Sequence, residues 1–288
     1  MSLDLELLKQ LRDITGAGIL DCKKYLVRAN NVLDDAIKLM RSEEGIKADK
    51  KSARIAAEGV VYFKSNSSKS LLIEINSETD FVARGDDFLS YVNQTCEIII
   101  SSPYNSLVAL MDSSDDAVKN SLEELRKSYV TKLGENIQIR RFHCIDNLEK
   151  FVTGYTHNNK IGAIVTLAKE DEQLSKDICM QIVASNPLAI DEASINQETL
   201  KSEKDIYKTE LEKIDKKEDI KRNILDGKMK KFVNDNTLIN QPFVKDPSTS
   251  LSKIMKNNQI ISFARFEVGE GIEKKSEDFA QEVYSQIS

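Results

Sequence analysis

An α+β fold follows from three observations: a helical start, two strand-turn-strand segments each followed by a helix, and a charged helical pair inserted before a returning strand. Leu5, Leu8, Leu11 and Ile14 recur at helical spacing and stop at Thr15-Gly16-Ala17-Gly18. Ile19 to Ala29 and Leu33 to Met40 then make two more short helices. Residues 1–45 are therefore predicted as a three-helix bundle. So small a bundle has a thin core, and it either docks weakly on the rest of the chain or swings on a tether. Ile46 to Ala57, with Lys47, Lys50, Lys51 and Arg54, reads as that tether or as a frayed helix, giving a linker over 46–58.

The core beyond the linker contains an internal echo. Gly59-Val60-Val61-Tyr62-Phe63, a polar stretch Ser65 to Ser70, and Leu71 to Asn76 predict one hairpin. Phe151 to His157, Asn158-Asn159 and Ile161 to Ala168 predict a second. Helices are expected after each, over Asp87 to Ile100 and Glu172 to Ala184, which gives two related halves at 59–145 and 146–268. Beyond Pro187, Leu200, Tyr207, Leu211 and Ile214 form a narrow apolar seam among charged residues. A return segment carries Ile220, Ile224 and Leu225 before Gly227, so an antiparallel helical hairpin projects at about 190–227. Such an arm is either solvated, burying only its own seam, or a contact with the partner or with another subunit in a homodimer. Ile260 to Val268 returns to the core as a strand. In a C-terminal module, 269–288, Phe279, Val283 and Ile287 share one face of a last helix that packs at home or on a partner.

Composition narrows the function. The 288 residues carry a formal net charge of -6, with 31% charged residues of both signs. Nucleic acid binding relies on a basic face, so a protein partner fits better. Two helices around a glycine turn could form a DNA-reading motif, but its recognition helix offers chiefly Lys23, Lys24 and Arg28 on an acidic chain. No apolar run approaches a membrane span, and Met1-Ser2-Leu3-Asp4 lacks a basic then apolar leader, so the cytoplasm is the expected address. Cys22, Cys96, Cys144 and Cys179 form no Cys-x-x-Cys pair and are expected as reduced, buried thiols. With only His143 and His157 available, a metal centre is not expected. A phosphate-binding glycine loop is missing, Gly269-Glu270-Gly271 is too acidic to replace it, and no nucleophile-and-base motif stands out. Neither a cofactor nor an enzymatic reaction is therefore expected.

One segment stands apart. Glu78-Thr79-Asp80-Phe81-Val82-Ala83-Arg84 follows an apolar strand and sets an aromatic beside a carboxylate at a turn. Either Phe81 starts the next helix and faces the core, or it stands bare as a wedge. The second half has only the acidic stretch Glu170 to Glu172 at the corresponding place.

The segment has company. Leu11-Arg12-Asp13-Ile14-Thr15-Gly16-Ala17-Gly18-Ile19-Leu20-Asp21-Cys22-Lys23-Lys24, Lys132-Leu133-Gly134-Glu135-Asn136-Ile137 with Arg140-Arg141, and Gly154-Tyr155-Thr156-His157 occur in order with it. Lys228-Met229-Lys230-Lys231-Phe232, Gln241-Pro242-Phe243-Val244 and Arg265 to Glu273 continue the series. Together they resemble the bacterial elongation factor Ts family from end to end. The resemblance implies a ubiquitin-associated-like N-terminal bundle, in which Gly16-Ala17-Gly18 lets two helices approach closely. It implies nucleotide exchange on elongation factor Tu, bound to GDP or nucleotide-free, during translation elongation. It assigns Thr79, Asp80, Phe81 and Val82 to partner binding and dislocation of the partner's magnesium ion. Val82 is expected to back the loop and Thr79 to fix its turn. Leu133, His157 and Lys23 are implied as further partner contacts.

Overall fold

The computed structural model describes residues 4–15, 18–148 and 150–273. Within them the α+β class holds, in two compact units. Among the described residues, one gathers those within 4–62, 73–144 and 267–273; the other gathers those within 63–72 and 145–266.

The chain opens with helices α1 (Leu5–Thr15), α2 (Ile19–Arg28) and α3 (Leu33–Lys51). Leu11, Cys22, Tyr25, Leu26, Ala36 and Met40 form their common core. Leu5 and Ile14, at the same helical spacing as Leu11, stay exposed, because a three-helix module cannot cover so wide a stripe. Of the segment over 46–58 read as a tether or a frayed helix, residues 46–51 are the end of α3 and 52–57 lie outside any helix or strand. Periodicity could not reveal this, since α3 is held by α7, a distant helix (Asp116–Leu133), and by Lys51 Nζ donating to Gly134 O at 2.7 Å.

Strands β1 (Glu58–Ser65) and β2 (Lys69–Ser77) lead into α4 (Asp80–Ala83), α5 (Asp86–Ser101), α6 (Leu107–Met111), α7 and β3 (Ile137–Asp146). The sheet order is β1-β2-β3, and central β2 is buried from Ser70 to Ser77, matching its nearly continuous apolar run. Gly59 lets the first two strands meet: its φ is 136°, and a Cβ would stand 2.1 Å from Ile75 O. Helix α5 packs on α7 through Tyr91 and Tyr129, with ring centroids 5.3 Å apart.

A buried charge anchors β3. The fully buried Glu74 accepts from Arg140 Nη1 (3.0 Å), Arg141 Nε (2.7 Å) and the Gly269 N–H (2.8 Å). Arg141 also reaches Glu270 Oε2 at 2.8 Å, so these side chains fasten the end of the described chain to the sheet. A buried carboxylate is tolerated only when hydrogen bonded in this way.

In the second unit, β4 (Phe151–His157) pairs antiparallel with β5 (Ile161–Leu167), and α8 (Glu172–Ser185) packs on both. Next come α9 (Gln197–Glu212), α10 (Glu218–Asn236), β6 (Pro242–Phe243), β7 (Asp246–Ser250), α11 (Leu251–Met255) and β8 (Ile260–Glu267). The sheet order is β4-β5-β8, and Val165, Leu167, Ile178, Ile182, Leu238 and Leu251 belong to the core. The helical insertion outlasts its expected end at 227. Gly227 does not stop α10, because Val233 beyond it is buried with Ala189 and Ile195. Lys228 ties α10 to α9, 2.5 Å from Glu210 Oε2 and over the Tyr207 ring. No helix among the described residues is long and apolar enough to cross a membrane. Phe279, Val283 and Ile287 lie outside the described residues.

Candidate partner-binding site

The site grows out of a buried strand. After Ser77, the last residue of β2, the Ser77 hydroxyl donates to Thr79 O at 3.0 Å and turns the chain outward. Thr79 is extended (φ -122°, ψ 157°), and its Oγ1 accepts from the Val82 N–H at 3.3 Å, which caps α4. The turn closes with Arg84 N–H donating to Asp80 O (3.2 Å) and Gly85 N–H to Val82 O (3.0 Å).

Only one side of that turn meets the interior. Ala83 is buried, and at roughly 100° per residue Phe81, two positions earlier, points the opposite way. Phe81 is 85% exposed, so the reading in which its ring faces the core is overturned. Leaving it bare forgoes about 1.5–3 kcal/mol of apolar burial. Val82, expected to back the loop, is half-buried, and Ala83 beside it is fully buried. Asp80 pairs with Arg84 at 3.0 Å, and both side chains are substantially solvated, so the pair contributes little.

Two carboxylates pin the root of the turn. Glu135 Oε2 accepts from the Thr79 N–H (3.0 Å), and Glu135 Oε1 from the Thr79 hydroxyl (2.6 Å). In return, Glu78 Oε1 accepts from the Asn136 N–H (2.6 Å) and from Arg54 Nη1 (3.4 Å). The buried Asn136 side chain then donates to Arg54 O at 2.7 Å. Gly134, at φ 79°, ends α7 in the left-handed conformation and brings Glu135 round to meet Thr79. Sequence reasoning gave Glu78, Glu135 and Asn136 no role of their own, because pairs 56 and 58 residues apart leave no local signal. The one cue is a carboxylate directly after a helix-ending glycine.

Leu133 is the last residue of α7, half-buried and two positions before Glu135, so the same turn carries it. Lys23 stands exposed on α2. His157 is exposed at the end of β4 in the other unit, with its Nδ1 3.2 Å from Tyr155 Oη. Asn158 and Asn159, at φ 51° and 54°, close that hairpin, a backbone that asparagine tolerates better than most residues. In the echo of the site, Asp171 Oδ1 accepts from Leu174 N–H at 2.9 Å and caps α8 directly. The first half instead inserts α4, with its bare ring, between cap and long helix.

Comparison with known proteins bears on this arrangement. The family model described as "Elongation factor TS" matches residues 78–270, which begins at the Glu78 carboxylate of the clamp. The elongation factor Ts of Thioalkalivibrio sulfidiphilus (strain HL-EbGR7) is 40% identical over 291 residues, covering 99% of each chain. That of Alkalilimnicola ehrlichii (strain ATCC BAA-1101 / DSM 17681 / MLHE-1) is 41% identical over 290 residues, again with 99% of each covered. The elongation factor Ts of Pseudoalteromonas atlantica (strain T6c / ATCC BAA-1087) is 42% identical over 292 residues, covering 100% of this chain and 99% of its own.

Proposed function

This chain belongs to the elongation factor Ts family, and we propose that it speeds release of GDP from elongation factor Tu during translation elongation, in the cytoplasm. It does so without bond chemistry of its own. An exchange factor needs a surface that favours the nucleotide-free partner. Coupling is reciprocal: if nucleotide weakens the factor's grip, the factor weakens the nucleotide's by the same ratio. Each 1.4 kcal/mol of that antagonism is about tenfold in affinity.

The observation that carries this reading is Phe81, bare on a capped and clamped helical turn. A rigid aromatic inserts into an apolar seam of the partner at low entropic cost, since little of it needs ordering on contact. Its neighbour Asp80 brings a carboxylate to the same place, where it competes with groups that order the partner's magnesium ion. Loss of magnesium removes charge neutralisation from the GDP phosphates, and the nucleotide leaves faster. Thr79 fixes the turn and Val82 supports it. Leu133, His157 and Lys23 extend the contact with elongation factor Tu.

The test is stopped-flow release of fluorescent GDP from elongation factor Tu with and without the chain. A release rate that rises with concentration of the chain and then saturates is expected. An unchanged rate despite a complex on size-exclusion chromatography would replace exchange with plain tethering.

A further inference from the structure

The reciprocal carboxylate clamp at the root of α4 has no part in the packing of a hydrophobic core, yet it uses both oxygens of Glu135. One accepts the backbone N–H of Thr79 and the other its hydroxyl, at 3.0 and 2.6 Å. That hydroxyl, while donating to Glu135, accepts from Val82 N–H with its lone pair, so the cap and the clamp share one atom. Removing Glu135 frees the Thr79 hydroxyl to rotate and loosens the first turn of α4, whose four residues are too few to hold a helix unaided. The return bond, Asn136 N–H to Glu78, fixes the other side of the same junction. Lys51 Nζ on Gly134 O and Asn136 Nδ2 on Arg54 O hold the 134–136 turn in place.

We propose that Glu135 is a positioning residue for exchange: it sets the orientation of Phe81 by clamping Thr79, and never touches the partner's nucleotide site itself. This role rests on Phe81 acting as the wedge of the proposed function. Leu133 lies on the same turn, so Glu135 also fixes the spacing between the two candidate contacts. Elongation factor Tu then meets one preorganised surface in place of two independent segments.

A double-mutant cycle tests it, with Glu135→Ala, Phe81→Ala and the double variant compared with the parent in GDP release from elongation factor Tu. Thermal melts of each full chain serve as the folding control. Glu135→Ala is expected to lower the saturating release rate roughly ten-fold, the scale of losing charge-assisted bonds that hold a reacting geometry. In the Phe81→Ala background the same change is expected to cost less than about two-fold, because an effect routed through the ring disappears with it. Glu135→Gln keeps one acceptor and serves if the alanine variant melts early; an intermediate rate is expected. Independent, multiplying losses would overturn the positioning role while leaving the wedge in place. A parental rate for Glu135→Ala and Glu135→Gln beside a crippled Phe81→Ala would do the same. A parental rate for Phe81→Ala would overturn the wedge itself, and the positioning role with it.

Discussion

Glu74 and Phe81 break the ordinary pattern of burial in opposite directions, one a charge placed inside and the other a ring placed outside. Glu74 sits at 0% exposure between two arginines whose side chains are 26% and 32% exposed. Glu74→Gln is expected to lower the denaturant-unfolding free energy by about 2 kcal/mol, less than for a wholly buried pair because both guanidinium groups can rehydrate. An unchanged midpoint in urea would show that the arginines find other acceptors. Phe81→Ala, in contrast, should leave the melting temperature unmoved, since its ring buries almost nothing at home. Residue character is legible in the sequence, but residue orientation is not. The string around Phe81 stands out because an aromatic sits at a turn, while its exposure depends on Ala83 taking the inward position and on a carboxylate 56 residues away.

At the scale of elements, the two hairpins and their following helices are legible from alternation and turn residues. Strand β3 and helix α7 leave a weaker trace in their own pattern. In β3, Arg140 and Arg141 interrupt the alternation, and buried Glu74 accepts a hydrogen bond from each. Helix α3 outruns its expected end for a similar reason, a tertiary partner that local propensity cannot register. Strand pairing at Gly59 leads to a sharp expectation: Gly59→Ala forces a left-handed backbone and a Cβ clash with Ile75 O, costing at least about 3 kcal/mol. A drop in melting temperature with loss of soluble yield checks it. The N-terminal bundle has its own switch. Glu43 is held by Arg28 (2.5 Å) and by the Tyr25 hydroxyl, and the Arg28 hydrogen bond draws its carboxyl down to about 2 from 4.5. Because the folded value is the lower one, its stabilisation is present above the unfolded pKa and is lost as pH falls toward 2. Amide protection factors in α2 and α3 of the full chain, referred to the intrinsic exchange rate at each pH, should therefore fall over that window. Arg28→Gln should flatten the dependence, and equal slopes in parent and variant would contradict the assignment.

Across the whole molecule, the four cysteines are buried, and burial raises the Cys179 thiol to about 12. The native chain should react with a thiol reagent at none of them within minutes and at all of them in denaturant. Fast labelling of even one thiol in the native state would reveal an opening that the structure does not contain. Neither unit alone carries every candidate contact, with Thr79 to Val82, Leu133 and Lys23 in one and His157 in the other. The clamp is hidden because its partners are local to nothing in the chain.

The most direct measurement is the saturating rate of GDP release from elongation factor Tu driven by the parent chain and by folded Phe81→Ala. Truncation of a central aromatic contact typically costs about 2–4 kcal/mol, so a fall of at least ten-fold, with an unchanged melting temperature, is the predicted result. A variant that releases GDP as fast as the parent would contradict the central claim that the bare ring on its clamped turn drives exchange.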